Sequence, residues 1–386
     1  MDKRIVSGNI QEEELINEKN LRPKKLAEYI GQDKIKSNLE ISIAAAQKRG
    51  DPLDHSLIFG PPGVGKTTLA NILALEMNAQ LKTTSGPAIE KAGDLVSILT
   101  GLKEGDVLFI DEIHRLPRIV EEILYPAMED LFVTWIIDKG MRARSMNLSI
   151  KPFCLVGATT RFGMVSSPLR DRFGSVIRLD FYDENAMISI VERSAKIIGV
   201  PGDAKGFTEI AKRSRGTPRI ANRLLRRVRD YAEIKGNNKI DESLSKTALD
   251  KLEVDELGLD DWDVLILKSL IEKFGGGPVG LETLAASISE DADTITEVYE
   301  PYLLQLGMLD RTRSGRVATT RAYIILGILR QKTPNQVCFN ITTPLTAKLD
   351  YCHEEVYTNR FCQPIPDGVL LLLLHHLLIR LFYLHP

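Results

Sequence analysis

The sequence predicts an α/β protein with a mostly parallel sheet and helices on both faces, followed by a small all-helical unit and a third unit ending in a β-hairpin. Three observations carry that prediction. From Leu21 to about Tyr182, short apolar runs alternate with amphipathic helical stretches, the pattern of buried parallel strands joined by crossover helices. One strand-to-helix turn reads Gly60-Pro61-Pro62-Gly63-Val64-Gly65-Lys66-Thr67, a complete G-x-x-x-x-G-K-T phosphate loop. After Asp183 the strand-length runs stop, and helical periodicity alone continues to about Glu256.

Taken in order, residues 1–20 are polar and acidic and are expected to be a flexible segment. Residues 21–182 form the α/β domain, with buried strands expected at Ser56–Phe59, 107–110 and 153–158. Inside it, Phe132-Val133-Thr134-Trp135-Ile136-Ile137 is rich in β-formers, and Asp138-Lys139-Gly140 can turn it, so a hairpin is inserted over about 132–150. Its apolar residues are too many to face the core together: the pair either packs on its own domain or presents an apolar tip to a partner. Residues 183–256 make the helical unit and 257–327 the third unit. There a helix to Phe274 meets the break Gly275-Gly276-Gly277, and a hairpin over 308–318 turns at Arg313-Ser314-Gly315.

The tail, 328–386, differs in composition. It holds three of the four cysteines and four of the six histidines, and it closes on an apolar stretch that Arg380 interrupts. That stretch is shorter than a membrane helix needs, and Cys352, His353 and Cys362 match no established zinc spacing. The tail stays unassigned. A net charge of −2 gives no global nucleic-acid signal, so any DNA contact must come from local basic patches. The start lacks the apolar core of a signal peptide, and the cysteines form no disulfide framework, so a cytoplasmic protein is expected.

The chemistry starts at the phosphate loop. Its glycines permit the positive φ values and close approach that wrapping an anion requires, and the helix start presents free N–H groups. Lys66 is expected on the β- and γ-phosphates and the Thr67 hydroxyl on Mg²⁺. The run Val107-Leu108-Phe109-Ile110-Asp111-Glu112 ends a strand on two carboxylates. Asp111 suits the Mg²⁺ shell, and Glu112 suits the general base that polarises the attacking water. A further strand ends in Gly157-Ala158-Thr159-Thr160-Arg161, where a polar side chain, taken as Thr159, could bond the γ-phosphate or its water. Arg170 and Arg172 flank an aspartate; they form either a surface ion-pair cluster or a charge offered to a neighbouring subunit. In Gly216-Thr217-Pro218-Arg219, Arg219 stands at a helix start, where the dipole disfavours a cation unless an anion is present.

Together these segments resemble the AAA+ ATPases, and within them the motors that drive branch migration of four-way DNA junctions. The resemblance covers about Leu21 to Gly327. It rests on Leu21-Arg22-Pro23, Tyr29-Ile30-Gly31-Gln32, the phosphate loop, the 108–116 segment, Gly157-Ala158-Thr159-Thr160-Arg161, the 168–174 segment and the 215–225 segment. It implies an AAA+ P-loop NTPase domain, a helical lid and a winged-helix DNA-binding domain. It also implies ATP as substrate, Mg²⁺, a homohexamer, double-stranded DNA, a junction-binding partner on the 132–150 hairpin, a junction resolvase, and roles in recombination, repair and the SOS response. By the same resemblance, ATP is held by Leu21, Arg22, Tyr29, Ile30, Gly63, Gly65, Lys66, Thr67, Thr68, Tyr182, Pro218 and Arg219. Glu129, Asp130 and Leu131 join it at the foot of the hairpin. Arg170 is implied as the finger reaching the adjacent subunit, with Arg172 close enough to share that duty. Arg311, Arg313 and Arg316 on the wing, with Arg321 beside it, are the DNA candidates. Two other readings remain at this stage: a clamp-loader-like switch that opens a protein ring, and a DNA-binding protein whose nucleotide site only regulates it.

Overall fold

The computed structural model describes residues 21–137, 144–236 and 238–328. One compact unit runs to Ala322; of a second, beginning at Tyr323, only the end of the helix Thr320–Ile325 and the three residues after it are described. The expectations for residues 1–20, the hairpin tip and most of the tail lie outside the described residues.

Nine strands are described: β1 (Ser56–Phe59), β2 (Leu81–Ser85), β3 (Val107–Asp111), β4 (Phe132–Ile137), β5 (Arg144–Ser149), β6 (Cys154–Thr159), β7 (Ser175–Arg178), β8 (Leu309–Thr312) and β9 (Gly315–Ala318). Five form one parallel sheet in the order β2-β3-β6-β1-β7. The central strands are buried along their length because helices cover both faces, and this is why they read as unbroken apolar runs. The edge strands β2 and β7 are polar and half-exposed, so they carry no such signature. One core lies between the sheet and the helices Asp33–Arg49 and Lys66–Glu76 and continues into the helical unit. The other lies on the opposite face, with Ala92–Thr100 and Arg118–Glu129.

The antiparallel pair β4–β5 is the inserted hairpin. Its base is anchored, since Val133 is buried and Trp135 and Leu148 pack against the second core. The helical unit comprises Glu184–Ile198, Ala204–Lys212, Pro218–Lys235 and Glu242–Lys251, the first, second and fourth begun by aspartates that accept a backbone N–H. The third unit packs Asp261–Lys268, Leu281–Ile288 and Glu300–Gln305 with the hairpin β8–β9; a bridge between Val279 and Arg316 adds a third strand position. Ile295–Tyr299 is a π-helical turn, an uncommon widening often found at functional sites.

The helical and third units are joined by a buried ionic cluster. Arg215, in the left-handed region at φ 56°, donates from Nε to the Gly258 carbonyl (2.7 Å) and bonds Asp263 directly. Asp260 lies 3.5 Å away, and the Tyr302 ring sits 5.2 Å from the guanidinium carbon. Burial raises the Asp263 carboxyl above its usual range even though Arg215 pulls it down.

Candidate functional site

The C-terminal edge of a parallel sheet is where α/β folds bind ligands. Here register brings three loops together: Phe59 lies opposite Thr159, Ser85 opposite Asp111, and the Gly60 N–H donates to the Thr159 carbonyl at 3.3 Å. Gly60 shows why the loop needs glycine. At φ 153°, a Cβ there would stand 2.1 Å from the Leu179 carbonyl oxygen. Gly65 follows at φ 103° and starts the helix Lys66–Glu76, whose first N–H groups open onto the cleft.

Lys66 Nζ donates to the carbonyls of Gly60 and Pro61, both at 2.8 Å. Burial lowers its pKa to about 8; Asp111 pulls it back up, and Arg219 adds to the lowering. An arriving polyphosphate supplies the negative charge this lysine lacks. Lys66 shares its cleft with Arg22, Gly63, Gly65, Thr67, Thr68, Asp111, Glu112, Pro218 and Arg219. The Asp111 Oδ1 accepts the Glu112 N–H at 3.0 Å. Glu112 holds φ 48°, a strained value for a residue with a side chain, and its carboxylate is paired with Arg115 at 3.1 Å. Asp111 and Thr67 offer hard oxygen donors beside the phosphate loop, which fits Mg²⁺ held by one carboxylate, a hydroxyl, water and phosphate.

A second cleft adjoins the first and takes in Leu21, Arg22, Tyr29, Ile30, Gly65, Thr68, Tyr182 and Pro218. Its inner wall is a buried hydroxyl pair. The Tyr29 and Tyr182 oxygens lie 3.0 Å apart, and the Tyr182 oxygen is 3.2 Å from the Val64 carbonyl. Burial pushes Tyr182 up to about 12 and raises Tyr29 as well, so both stay protonated donors. The Leu21 carbonyl is fixed by Arg193 Nη1 at 2.7 Å. An apolar cleft with polar rims beside a phosphate cradle suits a nucleoside.

Four expected ATP contacts, Glu129, Asp130, Leu131 and Arg172, line neither cleft. Glu129 instead pairs with Arg172 at 3.2 Å, and Arg172 also donates to the Pro168 carbonyl (2.7 Å) and covers the Tyr125 ring. Arg170 bonds Ser167 Oγ at 2.8 Å and lies over Phe162. Thr159 is not on the cleft wall either. It is fully buried, 2.9 Å from His114 Nδ1, and accepts the Arg161 N–H at 2.9 Å; the next residue, Thr160, faces the cleft. The two threonines alternate across the strand end, so one faces in and its neighbour faces out.

Sequence reasoning also missed Arg193, Ser194, Asn222, Glu297 and Val298. Asn222 and Arg193 sit on helices of the lid, where a polar position facing a ligand looks like one facing water. On the wing, Arg311, Arg313 and Arg321 are exposed, as expected. Arg316 is not: it is buried and bonds Glu300 with Nε and, at 3.3 Å, with Nη2. Its strand pairs with Val279, and its guanidinium points into the domain against Glu300.

Comparison with known proteins gives three consecutive matches. Residues 21–179 match the Holliday junction DNA helicase RuvB P-loop domain, 182–255 the RuvB AAA lid domain, and 256–327 the RuvB C-terminal winged helix domain. The chain belongs to the RuvB family. It is 58% identical over 332 residues to the Holliday junction branch migration complex subunit RuvB of Dehalococcoides mccartyi, covering 86% of this chain and 95% of the relative. It is 62% identical over 325 residues to the subunit of the same name from Thermomicrobium roseum, covering 84% and 92%. A solved structure, the Thermotoga maritima RuvB Holliday junction branch migration motor, superposes with a TM-score of 0.74 at 49% identity, covering 80% of this chain and 99% of that one. The architecture is thus a P-loop ATPase domain, an AAA lid and a winged helix.

Proposed function

We infer that this protein works as a motor fuelled by ATP hydrolysis that drives branch migration of Holliday junctions. Membership of the RuvB family supports this, with relatives named as branch migration subunits along nearly their whole length. The observation that carries it is the meeting of Lys66, Asp111, Glu112, Thr160 and Arg219 in one cleft, on a chain that also bears a winged helix. Glu112 polarises the attacking water; Lys66 and Arg219 balance charge on the phosphates. Mg²⁺, held by Thr67 and Asp111, supplies Lewis-acid stabilisation of the phosphates when bound. Thr159 acts through its backbone neighbours, and Thr160 offers the hydroxyl at the phosphate.

The residues that line neither of these two clefts form a second set, and a ring gives them a use. In a homohexamer, Arg170 and Arg172, with Glu129, Asp130 and Leu131, face the nucleotide of the adjacent subunit. Three contacts hold Arg172 in place, so its charge is delivered with little ordering cost, and we assign it the leading role with Arg170 assisting. Double-stranded DNA meets Arg311 and Arg313. A RuvA-like junction-binding protein meets the hairpin, a RuvC-like resolvase follows, and the complex works in the cytoplasm.

The test is ATP-dependent dissociation of a synthetic four-way junction with the junction-binding partner present. Glu112→Gln is expected to lower ATP turnover by about 10²–10⁴-fold and abolish dissociation while nucleotide still binds. Turnover unchanged in that variant would remove Glu112 from the role.

A further inference from the structure

The phosphate cleft is closed on one side by the winged-helix domain. Glu297 and Val298, on the π-helical turn Ile295–Tyr299, line the cleft together with Lys66, Asp111, Glu112 and Thr160. Asp111 and Glu112 have parts in the phosphate chemistry, but Glu297 has none, and its charge repels an incoming polyphosphate. Its charge is answered by Arg161, the residue after Thr160. Arg161 Nη2 bonds Glu297 at 2.6 Å and Asp293 at 2.8 Å. The backbone N–H of the same arginine donates to Thr159 Oγ1, which in turn meets His114. An unbroken line of bonds therefore runs from the loop behind Glu112, through the end of β6, to the DNA-binding domain.

We propose that Arg161 with Glu297 and Asp293 is a latch that a nucleoside triphosphate opens. In the structure the latch holds the winged-helix domain against the ATPase domain. A γ-phosphate entering the cleft repels Glu297 and offers Arg161 a competing anion. The guanidinium is prepared for that exchange, since its Nε is buried without an acceptor. The bonds are breakable because Asp293 is 74% exposed and Glu297 35% exposed, and half-solvated pairs are weak. A diphosphate lacks the group that does the repelling, so the latch distinguishes ATP from ADP and reports the difference to the domain that holds DNA. This rests on the assignment of the cleft to the phosphates.

The full-length protein tests it with the slowly hydrolysed analogue ATPγS and with ADP. Neutralising the gate in Glu297→Gln is expected to tighten ATPγS binding on the order of two- to fivefold and leave ADP affinity unchanged. Hydrogen exchange supplies the second readout. In the parent protein, ATPγS and not ADP should speed exchange over residues 292–299, and in Glu297→Gln that segment should exchange fast without nucleotide. An unchanged ATPγS-to-ADP affinity ratio, or exchange in 292–299 that ignores ATPγS, overturns the latch. Lys66→Ala separates the two levels: if it leaves ATPγS binding intact, the cleft assignment fails; if it abolishes binding while Glu297→Gln changes nothing, only the latch fails.

Discussion

Replacing Arg316 with methionine should unfold the winged helix far more readily without touching a DNA contact. The arginine side chain is 9% exposed and its partner Glu300 2% exposed, so the substitution leaves a carboxylate buried with no counter-charge. Breaking a buried pair in this way costs about 3–5 kcal/mol. For a unit of this size, that lowers the unfolding midpoint by more than about 10 °C. The assay is thermal unfolding followed by the fluorescence of Trp262, in the first turn of this domain's first helix, in a Trp135→Phe background that removes the other tryptophan. Two controls sharpen it. Adding Glu300→Leu to Arg316→Met should recover most of the loss, because an apolar pair tolerates burial. Arg311→Ala, at an exposed wing position, should leave the midpoint in place but reduce the salt dependence of duplex binding by about 0.9 in slope, one phosphate contact. The reasoning is refuted if Arg316→Met leaves the midpoint unmoved and shows the slope change instead, for then Arg316 leaves Glu300 to reach DNA.

Gly60→Ala should cost at least about 2 kcal/mol and abolish nucleotide binding, since its Cβ meets the Leu179 carbonyl; normal melting and ATP affinity would contradict the close approach. His55 accepts the Leu155 N–H with Nδ1, so Nε2 carries the proton toward the Met128 carbonyl and the ring is neutral. Burial lowers its pKa, so the unfolded chain takes up a proton first as pH falls below about 6.5; stability is lost from there down to the folded pKa, and His55→Gln should flatten that part of a pH–stability curve. Rings mixed from Arg172→Ala and Lys66→Ala subunits should regain ATP turnover that neither variant has alone, because an intact cleft then meets an intact arginine; no recovery would place Arg172 outside its neighbour's site.

What the sequence made legible follows from burial. The three central strands and the phosphate loop announce themselves because a buried parallel strand must be apolar along its length and a phosphate cradle must contain glycine. Strands β2 and β7 stayed silent, since Leu81-Lys82-Thr83-Thr84-Ser85 and Ser175-Val176-Ile177-Arg178 lie at the sheet edges and need no such composition. Within the site, the residues supplied by the loop and strand ends were readable because their chemistry is tied to a local motif. Thr160, Arg193, Asn222 and Glu297 were not. Each is an ordinary polar residue until tertiary structure decides whether it faces a ligand, and Glu297 meets Arg161 only because a distant domain folds back over the cleft. Arg316 shows the converse error: a cluster of arginines on a hairpin suggests one shared surface, although one strand of that hairpin turns its guanidinium inward.

The Arg215 cluster has a mechanical meaning. The helix that carries Arg219 to the phosphates begins four residues after Ser214, and Arg215 ties that start to Gly258, Asp260 and Asp263 at the head of the winged helix. The cluster therefore couples the lid to the winged helix, while the lid meets the end of the ATPase domain where Tyr182 donates its N–H to the Gly216 carbonyl. A turn of the lid then has a direct route to the DNA-binding domain, through buried ion pairs at the very start of the helix that carries Arg219.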